Sequence, residues 1–288
     1  MTAWITAHII DKEDFKWTSS FNLTTLKNRV TALANNADIY SANGIGVVQS
    51  VTRVGYAVGS IFTVKTTGVN PENGQRIFIN RFGREVQYNQ ASATSRWTYL
   101  DGTAAPAIDG VLDGQVSGSG IAPVFGGFNN SLSYKAFDLN IGITYSSGNK
   151  IYNGTKATLA DQRYFNNRVD ILDRWTTPGQ VTDIPKVVYG DSYSAGFAVS
   201  HSGNVEDGSF VRLKNVLLGY RLPKQLVNSI GIASVRIYAQ ASNLYTITSY
   251  TGSDPEISMN GNSNLGTGTE QNSVPGARSY TFGLNIGF

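Results

Sequence analysis

Apolar and polar residues alternate in seven separated stretches of the chain, and the last is the most regular. Tyr280, Phe282, Leu284, Ile286 and Phe288 share one parity, while Ser279, Thr281, Gly283, Asn285 and Gly287 share the other. A period of two predicts a β-strand with one apolar and one polar face. A tilted strand of about 9–11 residues is long enough to cross the hydrocarbon core of a bilayer. The same pattern predicts strands near 3–10, 15–24, 127–134, 137–146, 209–221, 234–242 and 279–288. In the first, Ala3, Ile5, Ala7 and Ile9 fall on one face, with Trp4, Thr6, His8 and Ile10 opposite. In the fifth, Val211 and Leu213 are out of phase with Val216, Leu218 and Tyr220, which predicts a β-bulge near Asn215.

The connections between these strands alternate in length. The turns at 11–14, 135–136 and 222–232 are short, whereas 26–122, 149–208 and 249–277 are long. The long ones are rich in Gly, Asn, Ser and Thr, with turn signals such as Asn70-Pro-Glu-Asn-Gly74. Within them the pattern suggests short strands around Ile61–Val64 and Gln75–Ile79, a short helix or strand extension over Leu26–Leu33, and a helix-like patch near Leu159–Leu172. Outer-membrane β-barrels have short periplasmic turns and long extracellular loops. The rhythm therefore predicts extracellular loops at 26–122, 149–208 and 249–277. Tyr134 and Phe137 at a short turn suit an aromatic girdle. The alternative is a soluble β-sandwich, such as a carbohydrate-binding module, whose apolar faces meet in a core.

Composition sharpens this choice. Charged residues make up 15% of the 288, against roughly a quarter in soluble domains, while 15 Tyr, 13 Phe and 31 Gly favour strands and turns. No apolar run is long enough for a transmembrane helix. The net charge of +3 gives no case for nucleic acid. With no Cys there is neither a disulfide framework nor a thiolate metal site. The first ten residues lack the basic and apolar regions of a secretory signal and read as a strand already under way. Seven strands is odd, whereas single-chain bacterial barrels have even counts. The expectation is therefore an all-β, antiparallel transmembrane barrel segment, open as isolated, from the C-terminal part of a larger barrel.

Several segments resemble one family. Ser209-Phe-Val-Arg-Leu-Lys-Asn-Val-Leu-Leu-Gly-Tyr-Arg-Leu-Pro223 resembles the late-barrel motif of SusC/RagA-type TonB-linked outer-membrane transporters. Ser234 to Thr248 is similar to their penultimate strand, Asp254-Pro-Glu256 to the start of the following loop, and Arg278 to Phe288 to their terminal strand. Phe15 to Asn22, Val58 to Phe62, Ser133 to Leu139 and Asp173-Arg-Trp175 match in the same order. The resemblance implies a 22-stranded barrel around an N-terminal plug, a size class whose lumen is plugged. It also implies TonB-energised import of oligosaccharides or peptides beneath a SusD-like surface lipoprotein. This chain would hold the last seven strands, without the plug or TonB box. Phe288 resembles the terminal aromatic read by the outer-membrane assembly machinery.

Little in the chain suggests catalysis or a cofactor. The two histidines, His8 and His201, have no ligand spacing between them. A barrel enzyme would need a nucleophile beside one of them. Asp170 and Asp173 read as a solvated helix face, and Asn70 to Gly74 lacks the carboxylates of a calcium loop. The candidate ligand contacts are Arg212, Lys214, Arg236, Tyr238 and Gln240 on the polar face of the late strands, where side chains tune selectivity. Trp97 and Tyr99, in the first long loop, are candidates for stacking on a sugar or peptide.

Overall fold

A computed structural model describes residues 1–42, 47–163, 167–228, 231–259 and 263–288. The parts of the expected loops and turns at 43–46, 164–166, 229–230 and 260–262 lie outside the described residues. The chain opens with β1 (Thr2–Asp11) and β2 (Phe15–Thr25). The first long connection holds eight short strands: β3 (Ile39–Ser41), β4 (Ser50–Thr52), β5 (Ser60–Val64), β6 (Thr66–Val69), β7 (Arg76–Ile79), β8 (Glu85–Tyr88), β9 (Trp97–Tyr99) and β10 (Gly114–Gly118). Long strands return as β11 (Val124–Tyr134) and β12 (Phe137–Ser147). The second connection contains β13 (Lys150–Asn153), α1 (Gly154–Leu159) and β14 (Val205–Asp207). Then come β15 (Phe210–Arg221), α2 (Lys224–Asn228), β16 (Ser234–Thr248), β17 (Thr269–Glu270) and β18 (Ser279–Gly287).

The long strands form one antiparallel sheet in the order β1-β2-β11-β12-β15-β16-β18. On its apolar face the side chains line up in rows across the strands. At the short-turn end Phe15, Tyr134, Phe137 and Tyr220 are register partners. Phe15 meets Tyr134 edge-on at 6.3 Å, and Phe137 meets Tyr220 at 4.6 Å. This is the aromatic row that a membrane interface favours. The next row runs Ile10, Trp17, Leu132, Leu139, Leu218, Ala239, Phe282. Nothing covers these rows among the described residues: Phe282 is 81% exposed and Tyr280 62%. A sandwich would bury this face under a second sheet, so the sandwich alternative is excluded. The sheet is an open piece of barrel wall.

Two irregularities set the phase. The expected bulge is present. Gly142 and Ile143 are consecutive on β12, yet their partners Asn215 and Leu213 leave Lys214 as the extra residue. On β16 the same level is accommodated around Asn243, at φ 55°, so Tyr245 and Ile247 rejoin the apolar face opposite Leu213 and Val211. This strand therefore runs to Thr248, beyond the expected 234–242. The second irregularity was not foreseen. A register shift between His8 and Ile10 makes Ile10, rather than Ile9, the partner of Trp17 on the apolar face.

The well-packed core lies elsewhere, inside the long connections. They are less irregular than expected. β10-β5-β4-β3 and β6-β7-β8-β9 form two small antiparallel sheets, and a mixed sheet β14-β13-β17, with β17 parallel to β13, joins the second connection to the last. Leu26–Leu33 is neither helix nor strand, and the helix-like patch near Leu159–Leu172 resolves into α1 ending at Leu159 and a 3₁₀ turn at Val169–Asp173. Val64, Phe78, Val86, Tyr88, Trp97, Ile108 and Val199 pack as one cluster, and Ile61, Tyr152 and Ala157 as another. Both clusters draw residues from the first and second connections.

Two consequences are testable. Val216 sits in the middle row of the apolar face, paired with Ile141 and Ala241. Val216→Arg is expected to cost about 2–4 kcal/mol of folding free energy in lipid vesicles, the usual penalty for a guanidinium at the midplane of a barrel wall. Denaturant unfolding of the vesicle-inserted protein measures it. His201, fully buried in the connections, is held well below its ordinary pKa, chiefly by burial and then by the nearby Arg76 charge. A depressed histidine lets the unfolded chain bind the extra proton first. Its stabilising contribution is thus complete above about pH 6.5 and is lost as the pH falls below that value. Thermal unfolding between pH 7 and pH 5 should show this loss, and His201→Gln should flatten it.

Candidate ligand-facing wall and loop cavity

The polar face of the late strands carries an ion-pair lattice. Arg212, on β15 beside the bulge, is 4% exposed. Its Nε donates to Thr246 Oγ1 at 2.9 Å, Nη1 donates to Glu256 Oε2 at 2.6 Å, and Nη2 bonds Asp254. Lys214 reaches the same Glu256 oxygen at 3.0 Å. Arg212 and Lys214 are two apart on β15 and so share one face, which lets both reach this carboxylate. Burial alone would raise the pKa of Asp254. The Arg212 guanidinium and the Glu256 N–H offset this and hold it below the usual carboxylate range. Asp254 also accepts from Gly276 N at 3.3 Å, so both ends of the last connection are tied to one carboxylate.

Lower on the wall, Arg236 donates Nε to Asp138 Oδ1 at 3.0 Å and Nη2 to Oδ2 at 2.5 Å, a two-pronged pair between β16 and β12. Both side chains lie over Gly219 on the intervening strand, where a Cβ would collide with them. Gln240 donates to Asn215 Oδ1 at 2.9 Å. The Tyr238 ring lies across Gly283, the position that makes room for it. The five wall candidates thus share one face. Arg212 is spent on the loop anchor, whereas Lys214, Arg236, Tyr238 and Gln240 keep part of their surface open.

The two loop candidates are placed differently. Trp97 is buried, packed on Tyr88, Tyr193 and Phe78 with ring centroids 4.7, 5.1 and 5.7 Å away. Its faces are taken by the loop core rather than open to a sugar or peptide. Tyr99 is half-buried, with the Arg84 guanidinium 3.4 Å from its ring centroid. Phe288 is 94% exposed at the end of the chain. His8 lies on β1 and bonds Thr18 Oγ1 at 3.1 Å. His201 Nδ1 accepts from Gly203 N, and the Ser194 hydroxyl donates to Asp191 rather than to an imidazole. Asp170 pairs with Arg168.

A cavity within the folded connections was not legible in the sequence. It offers about 510 Å³ between β6, β7, α1 and the segments around 183–185, 194–195 and 202–204. Its wall includes Arg76, which is 8% exposed. Arg76 Nε donates to Ser194 O at 3.1 Å and Nη2 to Asp183 O at 2.9 Å. Burial lowers its pKa to about 10, so it stays charged at neutral pH.

A run of lipid-length strands, a bare apolar face and a charged inner face roofed by folded loops define a segment of outer-membrane-type barrel wall. Comparison with known proteins agrees. No family model matches the chain. TonB-dependent receptor P3 of Formosa agariphila is 30% identical over 99% of this chain, which covers 28% of that protein. TonB-dependent receptor SusC of Bacteroides thetaiotaomicron is 25% identical over 99% of this chain, covering 26% of that protein. The RagAB peptide importer in its open-open state superposes with a TM-score of 0.75 at 23% identity, over 100% of this chain and 28% of the matched chain. Over nearly its whole length the chain is similar to TonB-dependent receptors, SusC among them. It spans little more than a quarter of the length of the relatives it matches.

The Arg212 anchor makes a direct prediction. Arg212→Met leaves Asp254 buried without its partner and is expected to cost about 3–5 kcal/mol locally, whereas Lys214→Ala, at a more exposed pair, costs under about 1 kcal/mol. Hydrogen exchange and limited proteolysis across 249–259 and 263–277 should accelerate strongly in the first variant and little in the second.

Proposed function

We propose that the protein carrying this chain imports oligosaccharides or peptides across the outer membrane, energised through TonB and working with a SusD-like surface lipoprotein. In this reading the chain supplies seven strands at the C-terminal end of the barrel. The connections 26–122, 149–208 and 249–277 form the extracellular side, and the short turns face the periplasm. The observation that carries it is the combination of a bare apolar wall face with three long connections at one end folded around a core of their own. Relatives named as TonB-dependent receptors, and one structural neighbour named as a peptide importer, support the same direction. Arg236, Tyr238, Gln240 and Lys214 then line the lumen, and the exposed terminal Phe288 serves the assembly machinery that inserts the barrel.

The test is uptake by cells expressing the protein. Labelled oligopeptides or oligosaccharides should accumulate in a manner that requires both the receptor and TonB, and a surface lipoprotein should co-purify in mild detergent. A protein that is soluble without detergent, or uptake unchanged by loss of TonB, would overturn the reading.

A further inference from the structure

We propose that the loop cavity at Arg76 is a binding site for an organic carboxylate, with the Arg76 guanidinium as its anchoring group. The argument begins with donors. A guanidinium carries five N–H groups in a fixed fork. Two of those on Arg76 are taken by the carbonyls of Ser194 and Asp183, and no further acceptor and no ion pair is present among the described residues. The remaining donors belong to a side chain that is more than nine-tenths buried yet forms part of the cavity wall. A buried cation without a direct counter-charge is costly, and a carboxylate placed against the fork would relieve that cost with paired, charge-assisted hydrogen bonds.

The other charges nearby do not fill that role. Lys156 pairs with Glu206 at 3.1 Å, and Arg168 pairs with Asp170. Asp191 is buried close by, but its carboxylate accepts from Ser194 Oγ at 2.6 Å and from the N–H groups of Tyr193 and Ser194 at 2.9 Å. Asp183 offers Arg76 its backbone oxygen, and the residue is exposed to solvent at the cavity edge. Both acids act on Arg76 at longer range without closing an ion pair.

Size and lining narrow the ligand. A volume of about 510 Å³ is that of a small-molecule site rather than a single-ion pocket. Thr66, Thr67, Gln162, Ser202 and Asn204 add hydroxyl and amide groups around it, which suits a hydrophilic solute or a hydrophilic chain end. The shared chemistry is a carboxylate on a polar scaffold, found at the end of a peptide and on an acidic sugar alike. The inference deepens the import reading, and rests on it in taking the cavity to face the solute's route.

The test uses the detergent-solubilised protein that carries this chain, titrated calorimetrically with two matched pairs: galacturonate against galactose, and acetyl-triglycine against acetyl-triglycinamide. At least one acid should bind saturably and at least about tenfold more tightly than its neutral counterpart, and the preferred acid identifies the scaffold. Arg76→Gln should lose that preference, and Arg76→Lys should retain part of it. Modification of the wild-type protein with phenylglyoxal, read by mass spectrometry, gives an arm that needs no variant: the acid should protect Arg76, and its neutral counterpart should not. Equal binding of acid and neutral probes, an unprotected Arg76, or full affinity in a folded Arg76→Gln protein would overturn the proposal. No acid preference in the wild-type protein with uptake intact would remove this site alone, whereas absent uptake with binding intact would remove the import reading alone.

Discussion

The inter-strand hydrogen-bond ladder is what the rest of the structure depends on. An apolar face that is bare in the folded chain needs a surrounding without water, and such a surrounding satisfies no stray amide. Every backbone donor and acceptor in the wall must therefore find its partner in the next strand. This keeps the strands long and in register, and confines irregularity to levels where the neighbouring strand also adjusts. The bulge at Lys214 on β15 and the left-handed turn of Asn243 on β16 are such a pair of adjustments. The ladder ends at two edges, those of β1 and β18, which have no further strand partner among the described residues.

The polar face obeys a different rule. Two of its arginines, Arg212 and Arg236, are each matched to a carboxylate. Arg236 with Asp138 ties two strands across a third, above a glycine that leaves room for both. Arg212 with Asp254 and Glu256 ties a strand to a loop. These two pairs do different work. The first stiffens the wall, whereas the second sets where the last connection leaves it. Arg212 and Lys214, two apart on β15, share the polar face and meet on one loop carboxylate, Glu256.

The wall was readable because period-two alternation is local and carries its own facing. The Lys214–Asn215 phase break was readable for the same reason, since large apolar residues change parity there. The corresponding shift at Ile9 was not, because Ile9 and Ile10 are both apolar and either fits the pattern. The connections resisted for two reasons. Their strands are two to five residues long, too short to establish a period. Their pairings are also remote: β13 pairs with β17 across more than a hundred residues. Trp97 shows the cost of reading composition without contacts. An aromatic in a polar loop suggested a stacking platform, yet Tyr88, Tyr193 and Phe78 enclose it. The anchor at Arg212 was half visible, since its cation and the Asp-Pro-Glu segment were both noted, but nothing in the sequence joined residues 42 apart.

The chain thus folds against two surroundings with opposite demands. Its strands turn apolar side chains outward and its long connections turn them inward, so a single composition serves a lipid-facing wall and a water-facing roof. The junction is where the two patterns must be reconciled. Phe210 stands there, buried at the first position of β15, with the Arg212 guanidinium 5.4 Å from its ring centroid. One residue further along, Val211 already faces outward. Within three positions the strand passes from a buried aromatic to the outer face and then to the buried ion pair that holds the last connection. A roof with its own core can hold a defined shape without relying on the bilayer. That independence is what allows a buried guanidinium such as Arg76 to be kept in place, with donors to spare, at a distance from the wall.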